Sequence, residues 1–182
     1  MAGNSKTAVL KAVGIGGATV GVVLGLMGPQ ASAAGQDVLL IKNMNSGKCL
    51  EIPWGQNQNG APAQQWDCNG GRNQQWLDYG TTAADGRHAH VYRNVMSNKC
   101  LEVADWREDA GAPLRVWDCH WGANQKWVST DGRWQWALVN ENSGLLIDMP
   151  YASRADGTQA VQWYRKGSTD DTSNQEWDFQ QV

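Results

Sequence analysis

Phenylalanine is nearly missing from this chain: there is one, beside four tyrosines and eleven tryptophans. A Phe-filled interior is therefore excluded. Trp buries a large area but keeps an N–H that needs a partner. So many Trp imply Trp-centred packing, exposed aromatic platforms, or both. A basic surplus is missing too: the formal charge is −3 over 182 residues. That argues against nucleic acid, which needs a basic footprint, and against adhesion to anionic lipid. No stretch shows sustained helical periodicity, so the pattern points away from helices. The apolar run Ala12 to Met27 is Gly-rich and falls short of the ~20 residues of a membrane span. Zinc-type Cys–His spacings are absent. His88 and His90 stand two apart without a third ligand in pattern, so they read as surface histidines and no metal is expected.

The N-terminal stretch reads as a secretory signal peptide covering residues 1–33. Lys6 and Lys11 supply its positive region, Ala12 to Met27 its apolar region, and Ala31-Ser32-Ala33 a small-residue cleavage pattern. No Arg-Arg pair precedes the apolar run and no Cys follows it, so neither twin-arginine export nor a lipid anchor is indicated. Cleavage after Ala33 would remove two lysines and no acids, taking the charge from −3 to −5. A secreted, extracellular protein is expected, with residues 34–182 as its one domain.

What is present is a repeat. Asn73-Gln74-Gln75-Trp76, Asn124-Gln125-Lys126-Trp127 and Asn174-Gln175-Glu176-Trp177 follow one another at intervals of 51 and 50 residues. Equal spacing of this size signals a stacked or radial architecture. Around each motif the same order recurs. Val38–Asn43, Lys48–Ile52 and Pro62–Asp67 read as strands, with Asn45-Ser46-Gly47 as a turn. His90–Asn94, Lys99–Val103 and Val116–Cys119 repeat them, and Trp136–Asn140 and Leu145–Met149 do so again. The loop from Arg165 to Asn174 is longer than its equivalents and polar, hence expected exposed. Three units of about four short strands predict a pseudo-threefold all-β barrel. Their bounds are approximately 38–84, 85–132 and 133–182.

Together, the three Gln-x-Trp motifs and the two Cys-Leu-Glu…Trp-Asp-Cys units resemble the ricin-type (QxW) β-trefoil lectins, from about Val38 to Val182. The resemblance implies a twelve-stranded β-trefoil of three four-stranded lobes, each with a potential shallow sugar pocket. Four cysteines allow three pairings. The repeat and the resemblance both select Cys49–Cys68 and Cys100–Cys119, while the third lobe has Leu146 and Arg165 at these places. Trp76, Trp127 and Trp177 are expected in the core, each with the Gln two residues earlier tying the lobe's backbone together.

A pyranose offers an apolar C–H face and a rim of hydroxyls, so its site needs an aromatic face and fixed acceptors and amides. Carried over by resemblance, the first lobe offers Glu51, Gln64, Trp66, Asn73 and Gln74. The second offers Glu102, Trp117, Asn124 and Gln125, with Arg115 in place of Gln64. The third offers Asp148, Trp163, Asn174 and Gln175, with Val161 at that place. Glu51 and Glu102 are one methylene longer than the family's usual Asp, so their carboxylates could overshoot a hydroxyl pair. Trp54, Trp106, Trp121 and Tyr151 fall in nearby loops, either extending an aromatic platform or packing over their own strands.

Asp170-Asp171 is a carboxylate pair, but adjacent loop residues are usually solvated, and glycoside hydrolysis needs two carboxyls facing across a cleft. No enzyme and no cofactor are expected. The expected partners are glycans or polysaccharide, chiefly galactose- or xylose-type, bound by a monomer. The alternative is a protein-binding or protease-inhibiting trefoil with vestigial sugar sites.

Overall fold

Twelve strands recur in threes and fours along a computed structural model that describes residues 36–130, 137–167 and 173–182. These residues belong to the compact unit Ala34–Val182. The N-terminal segment, the Trp136 start of one expected strand and most of the expected 167–171 loop lie outside the described residues.

The first lobe holds β1 (Val38–Asn43), β2 (Cys49–Glu51), β3 (Gln64–Trp66) and β4 (Gln75–Thr82). The second holds β5 (His88–Asn94), β6 (Cys100–Val103), β7 (Leu114–Trp117) and β8 (Trp127–Ser129). The third holds β9 (Leu138–Asn140), β10 (Leu146–Asp148), β11 (Val161–Trp163) and β12 (Trp177–Gln181). No α-helix occurs among the described residues; short 3-10 turns do the remaining work. The eight expected strand ranges each meet an observed strand, with shifts at the ends. β5 begins two residues earlier, at His88, and β7 runs Leu114–Trp117 instead of Val116–Cys119, while β4, β8, β11 and β12 answer to strands expected without a range.

Two layers follow from the pairing. β12, β1, β4, β5, β8 and β9 form one antiparallel ladder. β2–β3, β6–β7 and β10–β11 form three separate hairpins, each joined to its lobe's first strand. The hairpins meet in a closed triangle of backbone hydrogen bonds. Ala63 N–H donates to Leu114 O (3.1 Å), Leu114 N–H to Ala160 O (2.9 Å), and Ala160 N–H to Ala63 O (2.9 Å). That triangle marks the pseudo-threefold axis. The architecture is the expected all-β trefoil.

Trp76, Trp127 and Trp177 are fully buried in one cluster with Ile41, Leu50, Leu101, Leu138 and Ile147. Each indole N–H is satisfied by a carbonyl of its own lobe's hairpin: Leu50 (3.0 Å), Leu101 (3.3 Å) and Ile147 (3.3 Å). One side chain therefore supplies both apolar filling and a tie between the motif and the hairpin.

A second threefold device was not read from the sequence. Asn43, Asn94 and Asn140 are fully buried at the ends of β1, β5 and β9. Asn94 Nδ2 donates to the carbonyls of Asn73 and Gln75, and Asn140 Nδ2 to those of Asn124 and Lys126. Asn43 Nδ2 returns to Asn174 and Glu176, closing the circle. Each asparagine thus clamps the Asn-Gln-x-Trp motif of the preceding lobe.

Candidate functional site

The hairpin of each lobe fixes the candidate site. In an antiparallel pair, opposite residues and their i+2 neighbours share a face. Register sets Glu51 opposite Gln64 and Cys49 opposite Trp66. Glu51, Gln64 and Trp66 therefore present together. The disulfide Cys49–Cys68 closes the base of this hairpin, and Cys100–Cys119 that of the second lobe. In the third, Leu146 packs with Ala137 and Val139 instead.

In the first lobe Glu51 is 4% exposed. Its Oε1 accepts from Gln64 Nε2 (3.0 Å), and its Oε2 from Asn73 Nδ2 (3.0 Å) and Gln74 Nε2 (3.1 Å). The extra methylene does not throw the carboxylate outward, because three amides hold it in place. A dent of about 440 Å³ opens above it, lined by Trp54, Gln64, Trp66, Asn69, Asn73 and Met96 among others.

The third lobe has a dent of about 410 Å³ lined by Asp148, Pro150, Tyr151, Val161, Trp163 and Lys166, with Gly111 of the second lobe. Asp148 Oδ2 accepts from Asn174 Nδ2 (3.0 Å). Lys166 Nζ lies 3.8 Å from that oxygen and donates to Asn174 Oδ1 (2.6 Å). Burial pushes the Asp148 carboxyl above the usual range, against Lys166 and the hydrogen bonds of Gln175 and Asn174.

The second lobe differs. Arg115 Nε donates to Glu102 Oε1 (3.0 Å), and its Nη2 to Asp105 Oδ1 (2.9 Å). The same guanidinium lies 4.3 Å from the Trp117 ring centre. His120 Nε2 is 3.4 Å from Glu102 Oε2, and Trp106 stacks on the His120 ring. Arg115 and His120 stand on the carboxylate where the first lobe has only amides, and the guanidinium covers a face of Trp117.

The motif glutamines are not in the dents. Gln74, Gln125 and Gln175 are essentially fully buried, as are Asn124 and Asn174. Gln74 Oε1 accepts from Asn69 N–H and its Nε2 donates to Asp67 O. Gln125 does the same with His120 N–H and Asp118 O, and Gln175 with Lys166 N–H and Tyr164 O. The resemblance placed these glutamines among the sugar ligands. Their amides are already spent on backbone and carboxylate, so they position the site from behind. Of the motif residues, Asn73 lines the first-lobe dent, and none is in the lining of the third-lobe dent.

Asn69, His120 and Lys166 went unread in the sequence. The available signal was position: each follows Cys68, Cys119 or Arg165 by one residue. Trp54 and Tyr151 are exposed walls of their dents, whereas Trp106 and Trp121 pack against His120 and Tyr79. Trp54 and Tyr151 also hold positive φ, +55° and +56°, a conformation costly for bulky side chains. The aromatic of each hairpin leans on another lobe: a Cβ on Gly157 would lie 3.7 Å from Trp66, and one on Gly111 3.5 Å from Trp163. Among the described residues no group of three His, Cys, Asp or Glu could hold a metal ion. His90 is not a free surface histidine, since its Nδ1 lies 2.8 Å from Asp78 Oδ1.

The family model of the ricin-type beta-trefoil lectin domain matches residues 37–177. The chain belongs to this family. Carbohydrate binding in general comes with that membership. The curated relative "Serine protease 1" of Rarobacter faecitabidus is 40% identical over 112 aligned residues, covering 43% of this chain and 21% of that protein. This chain therefore spans about a fifth of that relative's length. A designed threefold symmetric protein, ThreeFoil, matches with a TM-score of 0.69 and 27% identity, over 78% of this chain and 96% of that one. An exo-beta-1,3-galactanase from Clostridium thermocellum matches equally well at 30% identity, over 80% of this chain and 30% of that one. The Rhizoctonia solani agglutinin, at 18% identity and a TM-score of 0.67 over 81% of this chain and 96% of that one, shares the fold.

Proposed function

We propose that this ricin-type trefoil is a secreted, non-catalytic module that binds galactose- or xylose-type sugars through the first and third lobes. One observation carries the reading: a buried carboxylate lies under a half-exposed Trp in an open dent in those two lobes. Glu51 and Asp148 supply acceptors for a pair of hydroxyls, and Trp66 and Trp163 supply faces for the C–H side of the ring. Each dent has one carboxylate in its lining, which suits binding more than hydrolysis across two facing carboxyls. The similarity to part of a galactanase supports a galactose-type ligand on a polymer. A single shallow pocket is expected near the ~1 mM scale. Retention on a polysaccharide by one monomer would come from two pockets acting together.

Tryptophan fluorescence titrated with galactose- and xylose-type sugars tests this. Asp148→Ala should weaken binding, and Glu51→Ala on top of it should abolish it. Sugar affinity untouched in the double variant would remove both pockets from consideration. No response to any sugar would favour the protein-binding trefoil.

A further inference from the structure

Positions 45, 96 and 142 occupy equivalent places in the three lobes, two residues past the clamping asparagines Asn43, Asn94 and Asn140. Two of them do the same job. Asn45 Nδ2 donates to the carbonyl of Ala152 (2.9 Å), and Asn142 Nδ2 to that of Trp106 (3.1 Å). Each so anchors the 3-10 turn that borders another lobe's site, Pro150–Ala152 or Ala104–Trp106. The remaining turn, Pro53–Gly55, meets Met96, which has no amide to give.

The turn has changed to match. Gly55 sits at φ +62°, while its counterparts Trp106 and Ala152 carry side chains at +57° and +51°. The backbone conformation therefore does not by itself demand glycine here; the space does. A Cβ on Gly55 would lie 2.2 Å from Met96 Sδ and 2.5 Å from its Cε. The thioether fills the volume that a side chain at position 55 would take. Met96 is half-exposed and lines the first-lobe dent beside Pro53 and Trp54. In the third lobe the dent's lining does not include Asn45, and Lys166 contributes a charged group instead.

We infer that Met96, reaching in from the second lobe, sets the ligand preference of the first-lobe pocket, which takes a sugar carrying a methyl group beside its hydroxyl pair. The inference rests on the sugar-binding reading above. Glu51, Gln64, Asn69 and Asn73 give the polar side of the pocket. The Met96–Trp54 wall gives a soft apolar side that pairs poorly with a hydroxyl. A hydroxyl turned toward it loses its water without compensation. A methyl gains burial, worth about fourfold in affinity. Both an acetamido group and a 6-deoxy carbon supply such a methyl.

The test uses the Asp148→Ala chain, which silences the third lobe. Calorimetry compares galactose with N-acetylgalactosamine and with 6-deoxygalactose; the pair that separates identifies the source of the methyl. Carbon-13 methyl labelling of methionine follows the Met96 Cε resonance, assigned by its loss in Met96→Asn. The expected result is a preference of about fourfold for one methyl-bearing sugar, with a shift of the Met96 signal. Met96→Asn should bring the ratio near one, and Met96→Leu should keep it. Equal binding of all three sugars, or a ratio that survives Met96→Asn, overturns the inference while Trp66→Ala still abolishes binding. If Trp66→Ala leaves binding intact, or no sugar binds, the first-lobe sugar pocket falls and the inference with it.

Discussion

One carboxylate per lobe decides what each site can accept, and its neighbours decide the carboxylate. Glu51 takes three amide donors and meets no cation in those contacts. Glu51→Gln would set its amide N–H₂ against the N–H₂ of Gln64 in one orientation, or against those of both Asn73 and Gln74 in the other. The expected cost is about 1–3 kcal/mol of stability, read by chemical denaturation, together with loss of first-lobe binding. Asp148 is distinguished by pH. Its folded pKa is raised by burial, so the folded chain takes up that proton more readily than the unfolded one. Its charge therefore costs stability above the raised pKa, and the cost fades as pH falls through it. The acceptor fades over the same range. Third-lobe binding should thus weaken with acid at a higher pH than an ordinary carboxylate would give. A pH series of titrations in a Glu51→Ala background checks this, with a midpoint at or below the ordinary Asp value as the contrary result. Glu51, Glu102 and Asp148 were legible in the sequence because they recur in register. Arg115 over Trp117 and Lys166 beside Asp148 were not, because the repeat fixes where a residue stands and not which neighbour its long side chain reaches.

Among the hairpins, two carry a clasp that the other lacks. Gln65 Nε2 donates to the carbonyls of Ser153 and Ala155 in the third lobe while its Oε1 accepts from Ser46 Oγ (2.8 Å). Gln162 does likewise with Arg107 and Asp109 of the second lobe and with Ser143 Oγ (2.6 Å). The second lobe has Val116 at this place, and Ser97 Oγ is buried without a partner. Val116→Gln should restore the clasp, reaching Ser97 and the carbonyls near Gln56 and Gln58. A gain of about 0.5–1.5 kcal/mol is expected, seen as a raised Tm; a lowered Tm would show that the site cannot seat the longer side chain. The disulfides act at the same scale. Replacing Cys100 and Cys119 by Ser should cost about 3 kcal/mol, measured by denaturation under oxidising conditions. The three units and most of their strands could be read from periodicity, and the Trp hub from the resemblance the repeat carries. The clasps could not, since Gln65 and Gln162 look like ordinary polar strand residues until a second lobe is laid against them.

For the whole molecule, three lobes of one plan carry two open dents and one carboxylate covered by its own Arg115 and His120. Equilibrium dialysis against a saturating monosaccharide should therefore count two sites per chain. Arg115→Gln with His120→Asn copies the first lobe's Gln64 and Asn69 into the second, and the count should rise to three. A count that stays at two would mean that Trp117 is masked by something besides the guanidinium.

The triangle formed by Ala63, Leu114 and Ala160 has a bearing on how such a chain can be cut. A truncation stopping at Thr130 would strand the N–H of Leu114 and the carbonyl of Ala63, each waiting for a neighbour that never arrives. An excised single lobe would have to recruit two duplicates of itself to fill the vacancies. Piecewise shortening is thus a poor route to a smaller binder, and gradual drift of individual dents inside an intact ring is the easier evolutionary path.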